Sequence, residues 1–450
     1  MMHVLRRHGQ FLPFIVLASV TLLASQITPP NDVGWQLWIG RQLGNGAMLY
    51  RDIVEINPPL WFWLAVPVVK LADLTGLSTW HVLISFFGAS AAISIALVRC
   101  RLWGALILAF FGVGIGAMGQ REQFTLIAIV PYIFLTADRA TGGSVNLQRA
   151  LGIGVWGALG IALKPYFALV PLVLEAWLLF HRRKFRPEFA AMVAVGLLYL
   201  VAVLTVTPDY WQTIVPLARE AYWIYDKPLS WMLKSDVVLV GTVALLGLAL
   251  AHERPPLAQA LAVAGTAFLI CYVIQMKGFR YHGLPALGLF VIMAFAAPLN
   301  ILLLFVPVLA LAGNIQPRLK LDEHAILCGL PRGTTVVALT PYGDTAWPWV
   351  ETCQLNWASR YMFLWMLQSP KLAPAMRQAV IKDIANMRPA LVIVSKPGRM
   401  GNALGDPGIQ AATSGYVRVG ETQYSVIYSQ RRTEIIDPRV LDQPPHRGGE

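Results

Sequence analysis

A polytopic helical membrane protein with a small α/β domain at its C-terminal end is the fold class this sequence predicts. Three observations carry that expectation. The 450 residues are 56% hydrophobic and only 13% charged, about half the charge of an average soluble domain. The mean hydropathy is +0.57, and the apolar residues gather into runs near the length a ~30 Å hydrocarbon layer asks of a helix. From residue 314 onward the runs cease and a polar, strand-forming pattern replaces them.

The runs occupy 11–27, 80–98, 102–118, 124–138, 149–163, 165–180, 189–207, 236–251, 257–275, 284–297 and 299–313, which makes about 11 transmembrane helices. The basic start MMHVLRRHGQ followed by an apolar stretch has the form of a signal peptide. The run reaches Ile27 with no clear small-residue cleavage site, so an uncleaved first helix is expected. One further segment, LWFWLAVPVVKLADL (60–74), is apolar but holds Pro67, Lys70 and Asp73. If it spanned, the HRRKFR cluster (181–186) would fall on the outer side. If it lies on the outer surface, that cluster joins Arg6, Arg7, Arg99, Arg101, Arg139, Arg149 and Arg254 on the inner side, against only Asp138, Glu188 and Glu253. The excess of basic residues in inner loops selects the second arrangement, with 60–74 as an interfacial helix. The expected topology is an inner (plasma) membrane protein, multi-pass, with a cytoplasmic N-terminus and an extracytoplasmic C-terminal domain. The same placement accounts for the net charge of +12 without a nucleic-acid partner.

On this topology the outer face receives loop 28–79, the turn GQREQ (119–123), Lys164-Pro165, loop 208–235 and the turn QMKGFRYH (275–282). It also receives Trp35, Trp38, Trp61, Trp63, Trp211, Trp223 and Trp231, read as an interfacial belt from which a few rings could stack on sugar. Two domains are expected: a membrane module over 1–313 and an extracytoplasmic α/β domain over 314–450. The second rests on the strand-like runs TTVVALT (334–340), ALVIVSK (390–396) and YSVIYS (424–429), the helix-like KLAPAMRQAVIKDIANM (371–387), and a tail expected to be disordered. Cys100, Cys271, Cys328 and Cys353 form no CxxC or zinc pattern, and the last two could pair if exported.

Charges at the mouth of an apolar bundle are costly to desolvate and usually have work to do. The outer boundary collects Asp32 after the first helix, Glu122 in the 119–123 turn, and Lys164, Lys277, Arg280 and His282; loop 28–79 adds Arg41, Arg51, Asp52, Glu55 and Asn57. A carboxylate among them can take a proton from a hydroxyl. The bases can hold a phosphate and stabilise charge on a leaving group. Each has a structural alternative. Asp32 could cap a helix after Pro30, Glu122 could pair with Arg121, Lys164 could snorkel, and the 277–282 bases could anchor at headgroups. No GxSxG, HExxH, Walker or GxGxxG motif is present.

The segment GxxxYRDxxExNPPLxxWL (46–64) resembles the first external loop of the GT-C fold membrane glycosyltransferases, in the branch of protein O-mannosyltransferases and lipid A aminoarabinose transferases. In that family an acid follows helix one and a (K/H/N)-P-P-L segment closes the loop. Asp32 and Asn57-Pro58-Pro59-Leu60 stand in those places, and Arg121-Glu122 in the second, between helices three and four. The resemblance covers roughly residues 10–300 in architecture. It departs from the family in carrying Asn31-Asp32 rather than paired acids and Asn57 where some relatives have lysine; the C-terminal domain resembles no named domain in sequence.

The resemblance implies transfer of a sugar from a polyprenyl-phosphate donor to a glycan, lipid or protein acceptor at the outer face, with inversion. Asp32 would be the general base and Glu122 would orient it or the acceptor. Phosphate binding would fall among Arg41, Arg51, Lys164, Lys277, Arg280 and His282, with Asp52, Glu55 and Asn57 in the substrate loop. No cofactor is firmly implied, and a divalent metal stays open. The alternative is a transporter or flippase of a lipid-linked sugar, which would hold ionisable groups near mid-membrane and show repeat symmetry. A structural subunit would leave loop 28–57 without a role.

Overall fold

The computed structural model describes residues 11–98, 101–180, 186–314, 321–397 and 403–430. Arg6, Arg7, Arg99, Cys100, most of the HRRKFR cluster and the C-terminal tail lie outside the described residues. Every apolar run is helical. In chain order the first helices are α1 (Leu12–Ala24), α2 (Asn31–Gly44), α3 (Leu60–Thr75), α4 (Thr79–Val98), α5 (Trp103–Ile107), α6 (Arg121–Ala140), α7 (Leu147–Ile161), α8 (Leu169–Leu179) and α9 (Pro187–Val206). The short α10 (Val215–Ala221) and α11 (Leu229–Leu233) precede α12 (Asp236–Leu250), α13 (Pro256–Gln275), α14 (Leu284–Ala296) and α15 (Ile301–Ala312). By length and composition α4, α9 and α13 can cross a membrane unaided; α1, α12 and α15 are among the shorter apolar helices.

Helix α6 is the axis of the bundle. It packs against α4, α7, α13 and α14 and is buried without a break from Arg121 to Ile133. Small residues let its neighbours come close. A Cβ on Gly160 of α7 would meet that of Ala128 at 2.9 Å, and one on Gly288 of α14 would meet Leu126 at 2.3 Å. Side-chain hydroxyls tie the helices at the same depth: Ser94 Oγ donates to the Ile127 carbonyl at 2.7 Å and Thr125 Oγ1 to that of Gly160 at 3.0 Å. Small residues with hydroxyl ties are how helices associate where water provides no drive.

The segment 60–74 falls within α3. Loop 28–57 is more ordered than its charge density suggests, because residues 31–44 form α2. Trp35, Trp38 and Ile39 on this helix are buried, and Phe62 of α3 joins them. The tryptophans therefore divide. Trp35, Trp38 and Trp61 are core residues rather than a belt, whereas Trp211, Trp223 and Trp231 are 44%, 56% and 47% exposed.

The C-terminal residues build a five-stranded sheet of order β2-β1-β3-β5-β4. The strands are β1 (Thr335–Leu339), β2 (Asn356–Trp357), β3 (Leu391–Ser395), β4 (Val417–Glu421) and β5 (Ser425–Ser429), with helices α16 (Asp322–Cys328), α17 (Trp349–Thr352), α18 (Ala373–Met387) and α19 (Pro407–Thr413). β1 runs parallel to β2 and β3, and β5 is antiparallel to β3 and β4. The fully buried central strand β3 reads as a continuous apolar run, as strands covered on both faces do. Cys328 and Cys353 are joined by a disulfide across 25 residues. The hydrophobic core of this sheet continues without interruption into α2 and the 49–53 turn.

Candidate active site

A cavity of about 500 Å³ opens between one end of the bundle and the sheet region. Its floor comes from the N-terminus of α6, one wall from α2 and residues 54–57, another from residues 222–227 and 279–282, and its roof from residues 342–344 and 362–368.

Asp32 lies on this cavity. Pro30 occupies the N-cap of α2 and Asp32 falls in the first turn, so it does not cap. An acid there is favoured by the helix dipole, yet its side chain turns away: Oδ2 accepts from the Tyr281 hydroxyl at 3.2 Å. Burial pushes the carboxyl up from 3.8 to about 6; the Arg121 charge and the Tyr281 hydrogen bond oppose the rise, and Glu55 and Asp344 add to it. A carboxylate so placed is a stronger base than one in water and still ionised at neutral pH.

Arg121 is the cation that faces Asp32 across this space. It is the first residue of α6, 4% exposed, and lines the cavity. Its Nε and Nη1 are buried and have no hydrogen-bond partner among the described residues. The turn before it is locked. Gly119 has φ +84° and a Cβ there would meet Trp80, Leu83 and Val33 at 3.0 to 3.2 Å. Gln123 accepts from the Gly119 amide and donates to the Phe110 carbonyl, both at 2.8 Å. The guanidinium is thus pre-placed at a helix N-terminus, whose dipole also favours anions.

Glu122, beside it, is fully buried and ion-paired with Lys164 below the cavity, with His282 Nε2 at 3.9 Å. His282 reaches the cavity wall. The other expected bases are occupied elsewhere. Arg41 pairs with Asp73 at 2.7 Å and Glu351 at 2.8 Å. Arg51 pairs with Asp209 at 2.6 Å. Lys277 pairs with Asp226, donates to the Tyr222 carbonyl at 2.7 Å and sits 4.0 Å from the Tyr222 ring centre. Arg280 binds Asp236, Asn314 and the Ala310 carbonyl at 2.5 to 2.7 Å. These four do not line the cavity. They staple the loops that do: Lys277 holds 222–226 against 276–278, which aims Tyr222, Tyr225 and Tyr281 inward.

Within the substrate loop, Glu55 and Asn57 line the cavity and Asp52 does not. Glu55 Oε1 accepts from the Asn57 amide at 2.9 Å and its side chain at 2.6 Å, and Oε2 accepts from Trp35 Nε1 at 2.8 Å. Asp52 accepts from the Met48 amide at 2.7 Å, closing a turn. Arg121 is not among the bases expected from the sequence to bind phosphate, where it enters with Glu122 at the second family position and as a partner Glu122 could have; the signal for it is its place at the start of α6. Reading by sequence also missed Asp344 of the C-terminal part, which no motif marked. Among the described residues no three His, Cys, Asp or Glu side chains converge.

The architecture is that of a GT-C-like fold. A helical bundle carries a small sheet over one end, and the cavity between them holds a carboxylate and a buried cation. No protein-family model matches the chain, and no curated protein matches it by sequence. Among solved structures it is similar to ArnT from Cupriavidus metallidurans in the apo state, with TM-score 0.57 at 14% identity over 95% of this chain and 99% of that one. It is also matched to the arabinofuranosyltransferase AftD from Mycobacteria, with TM-score 0.44 at 13% identity over 93% of this chain and 40% of that one. The fold expected from residues 46–64 is thus the fold of ArnT along nearly the whole chain.

Proposed function

We propose that this chain is a membrane glycosyltransferase that moves a sugar from a polyprenyl-phosphate donor to an acceptor hydroxyl, with inversion, at the outer face of a membrane crossed about 11 times. The supporting observation is that one cavity holds both Asp32, a base tuned by burial, and Arg121, a buried guanidinium whose Nε and Nη1 have no hydrogen-bond partner among the described residues. Asp32 takes the proton of the acceptor hydroxyl, and the hydroxyl oxygen attacks the anomeric carbon. The bond from that carbon to the donor phosphate oxygen breaks and its electron pair leaves with the phosphate, where Arg121 stabilises the developing charge. A guanidinium meets a phosphate through two parallel hydrogen bonds. Glu122 neutralises Lys164, which leaves buried Arg121 and the exposed Lys227 as the lysine and arginine side chains that face the donor in the cavity.

The test uses the full chain in membranes supplied with radiolabelled polyprenyl-phosphate sugars. Asp32→Asn should lower kcat by about 10²-fold or more with little change in donor KM. Arg121→Gln should raise donor KM and also lower kcat, whereas Arg41→Gln should do neither beyond its effect on folding. Full transfer by a well-expressed Asp32→Asn protein would sink the assignment.

A further inference from the structure

Resting on the reading just given, we infer that the sheet region supplies the acceptor half of the site, and that Asp344 receives a hydroxyl of an uncharged sugar acceptor. β1 ends at Leu339, and the segment after it crosses the cavity so that Tyr342, Gly343 and Asp344 line it. Asp344 Oδ1 accepts from Asn31 Nδ2, on the residue adjoining Asp32. A sugar held by Asp344 through one hydroxyl therefore has a neighbouring hydroxyl beside Asp32, the base that takes its proton as that oxygen attacks the donor.

The placement of this segment is built in. His324 Nε2 meets the Asp344 carbonyl at 2.9 Å. Trp347 lies 5.2 Å from Trp35 and 5.9 Å from Trp38, centre to centre, on α2. The disulfide joins the ends of α16 and α17, which carry or adjoin His324 and Trp349, whose rings are 4.9 Å apart. The chemistry of the upper cavity names the ligand. Rings from three separate segments meet there: Tyr225 lies 6.0 Å from Phe279 and 6.2 Å from Trp365. The lining carboxylates are Asp32, Glu55 and Asp344, against Arg121 and Lys227 as the cationic side chains. Once a donor phosphate occupies Arg121, the remaining surface is acidic and aromatic. Such a surface repels a second phosphate or a carboxylate, takes hydroxyl hydrogens, and offers ring faces to the C–H side of a sugar.

The experiment is transfer from a radiolabelled polyprenyl-phosphate sugar into the endogenous acceptor of the source membranes, with release of label to water measured in parallel. The labelled product is then heated in mild acid, which frees a sugar linked to phosphate and leaves a sugar linked to a hydroxyl. The expected result is an acid-stable product. Asp344→Ala should cut transfer about tenfold or more, as for loss of one charge-assisted hydrogen bond, and should cut it more than it cuts release to water. Asp344→Asn keeps an acceptor oxygen and should fall between the two; it is the variant to read if the alanine form does not accumulate. An acid-labile product, or unchanged transfer by both variants, overturns this inference and leaves the transferase reading standing. Neither transfer nor release by the wild type, with every donor tried, overturns the transferase reading itself.

Discussion

At the scale of single residues, the site is set by which charges lack partners. Arg41, Arg51, Lys277 and Arg280 are cations like Arg121, but each is paired with an acid of its own chain. Sequence shows that such residues exist near the outer boundary; it does not show which has been neutralised, because partners such as Asp236 or Glu351 come from distant segments. Asp32, by contrast, was legible, since an acid after the first helix points to the outer mouth of the bundle. Its surroundings make a pH prediction. In the proposed reaction Asp32 acts as a base only when ionised, so kcat/KM should fall about tenfold per pH unit below an apparent pKa of about 6. Tyr281→Phe removes a hydrogen bond that favours the ionised form, so the acid limb should move to higher pH. A limb that stays put in that variant would mean another group controls it. Linkage gives a companion result. The folded carboxyl binds its proton more tightly than the unfolded one, so ionisation costs stability as pH rises through the folded pKa. Asp32→Asn should therefore raise the melting temperature at pH 8 and lose that advantage near pH 4, an effect on the order of 1 kcal/mol.

At the scale of elements, α2 decides whether the cavity exists. It is clamped between α3 and the sheet region at two glycines on different faces. A Cβ on Gly40 would meet the Cβ of Ala65 in α3 at 2.7 Å, and one on Gly34 would meet the Cα of Pro348 at 2.5 Å. Stacked Trp35 and Trp38, with ring centres 4.8 Å apart, press onto Trp347, which in turn meets Trp357 at 5.3 Å. None of this was readable in advance. The dense charges of residues 31–57 read as a loop, and the partners that give α2 a buried face lie some 310 residues away, as Arg41 to Glu351 does. β2 and β4 were missed for a simpler reason: one is two residues long and the other an exposed edge. Gly34→Val should push the sheet region off α2, costing about 1–3 kcal/mol as overpacking does. Faster proteolytic release of the C-terminal part, together with lost transfer, is the expected outcome. Wild-type protease resistance would show that the contact can relax.

At the scale of the whole molecule, one argument joins topology, redox chemistry and site placement. The positive-inside rule assigned the basic loops to one side and the acids, tryptophans and long loops to the other. The structure puts the cavity, the Cys328–Cys353 disulfide and the exposed tryptophans of loop 208–235 together at one end of the bundle. The ion pairs Arg139–Glu188 and Arg186–Glu175 tie the loops that the rule assigns to the other side. A disulfide persists on the oxidising side of a bacterial inner membrane and not in the cytosol, so the end that carries it should be the outer one. That end is also where a donor with a long lipid tail can present its phosphate to a helix N-terminus at the boundary. The arrangement is checked by single cysteines in a protein whose Cys100 and Cys271 have been changed to serine. Ser144→Cys, in the turn between α6 and α7, should resist a membrane-impermeant maleimide in intact cells and react once the cells are opened. Arg332→Cys, beside β1, should react in both. Reaction of the residue-144 cysteine in intact cells would invert the bundle and place the cavity where a reducing compartment would not leave Cys328 and Cys353 joined.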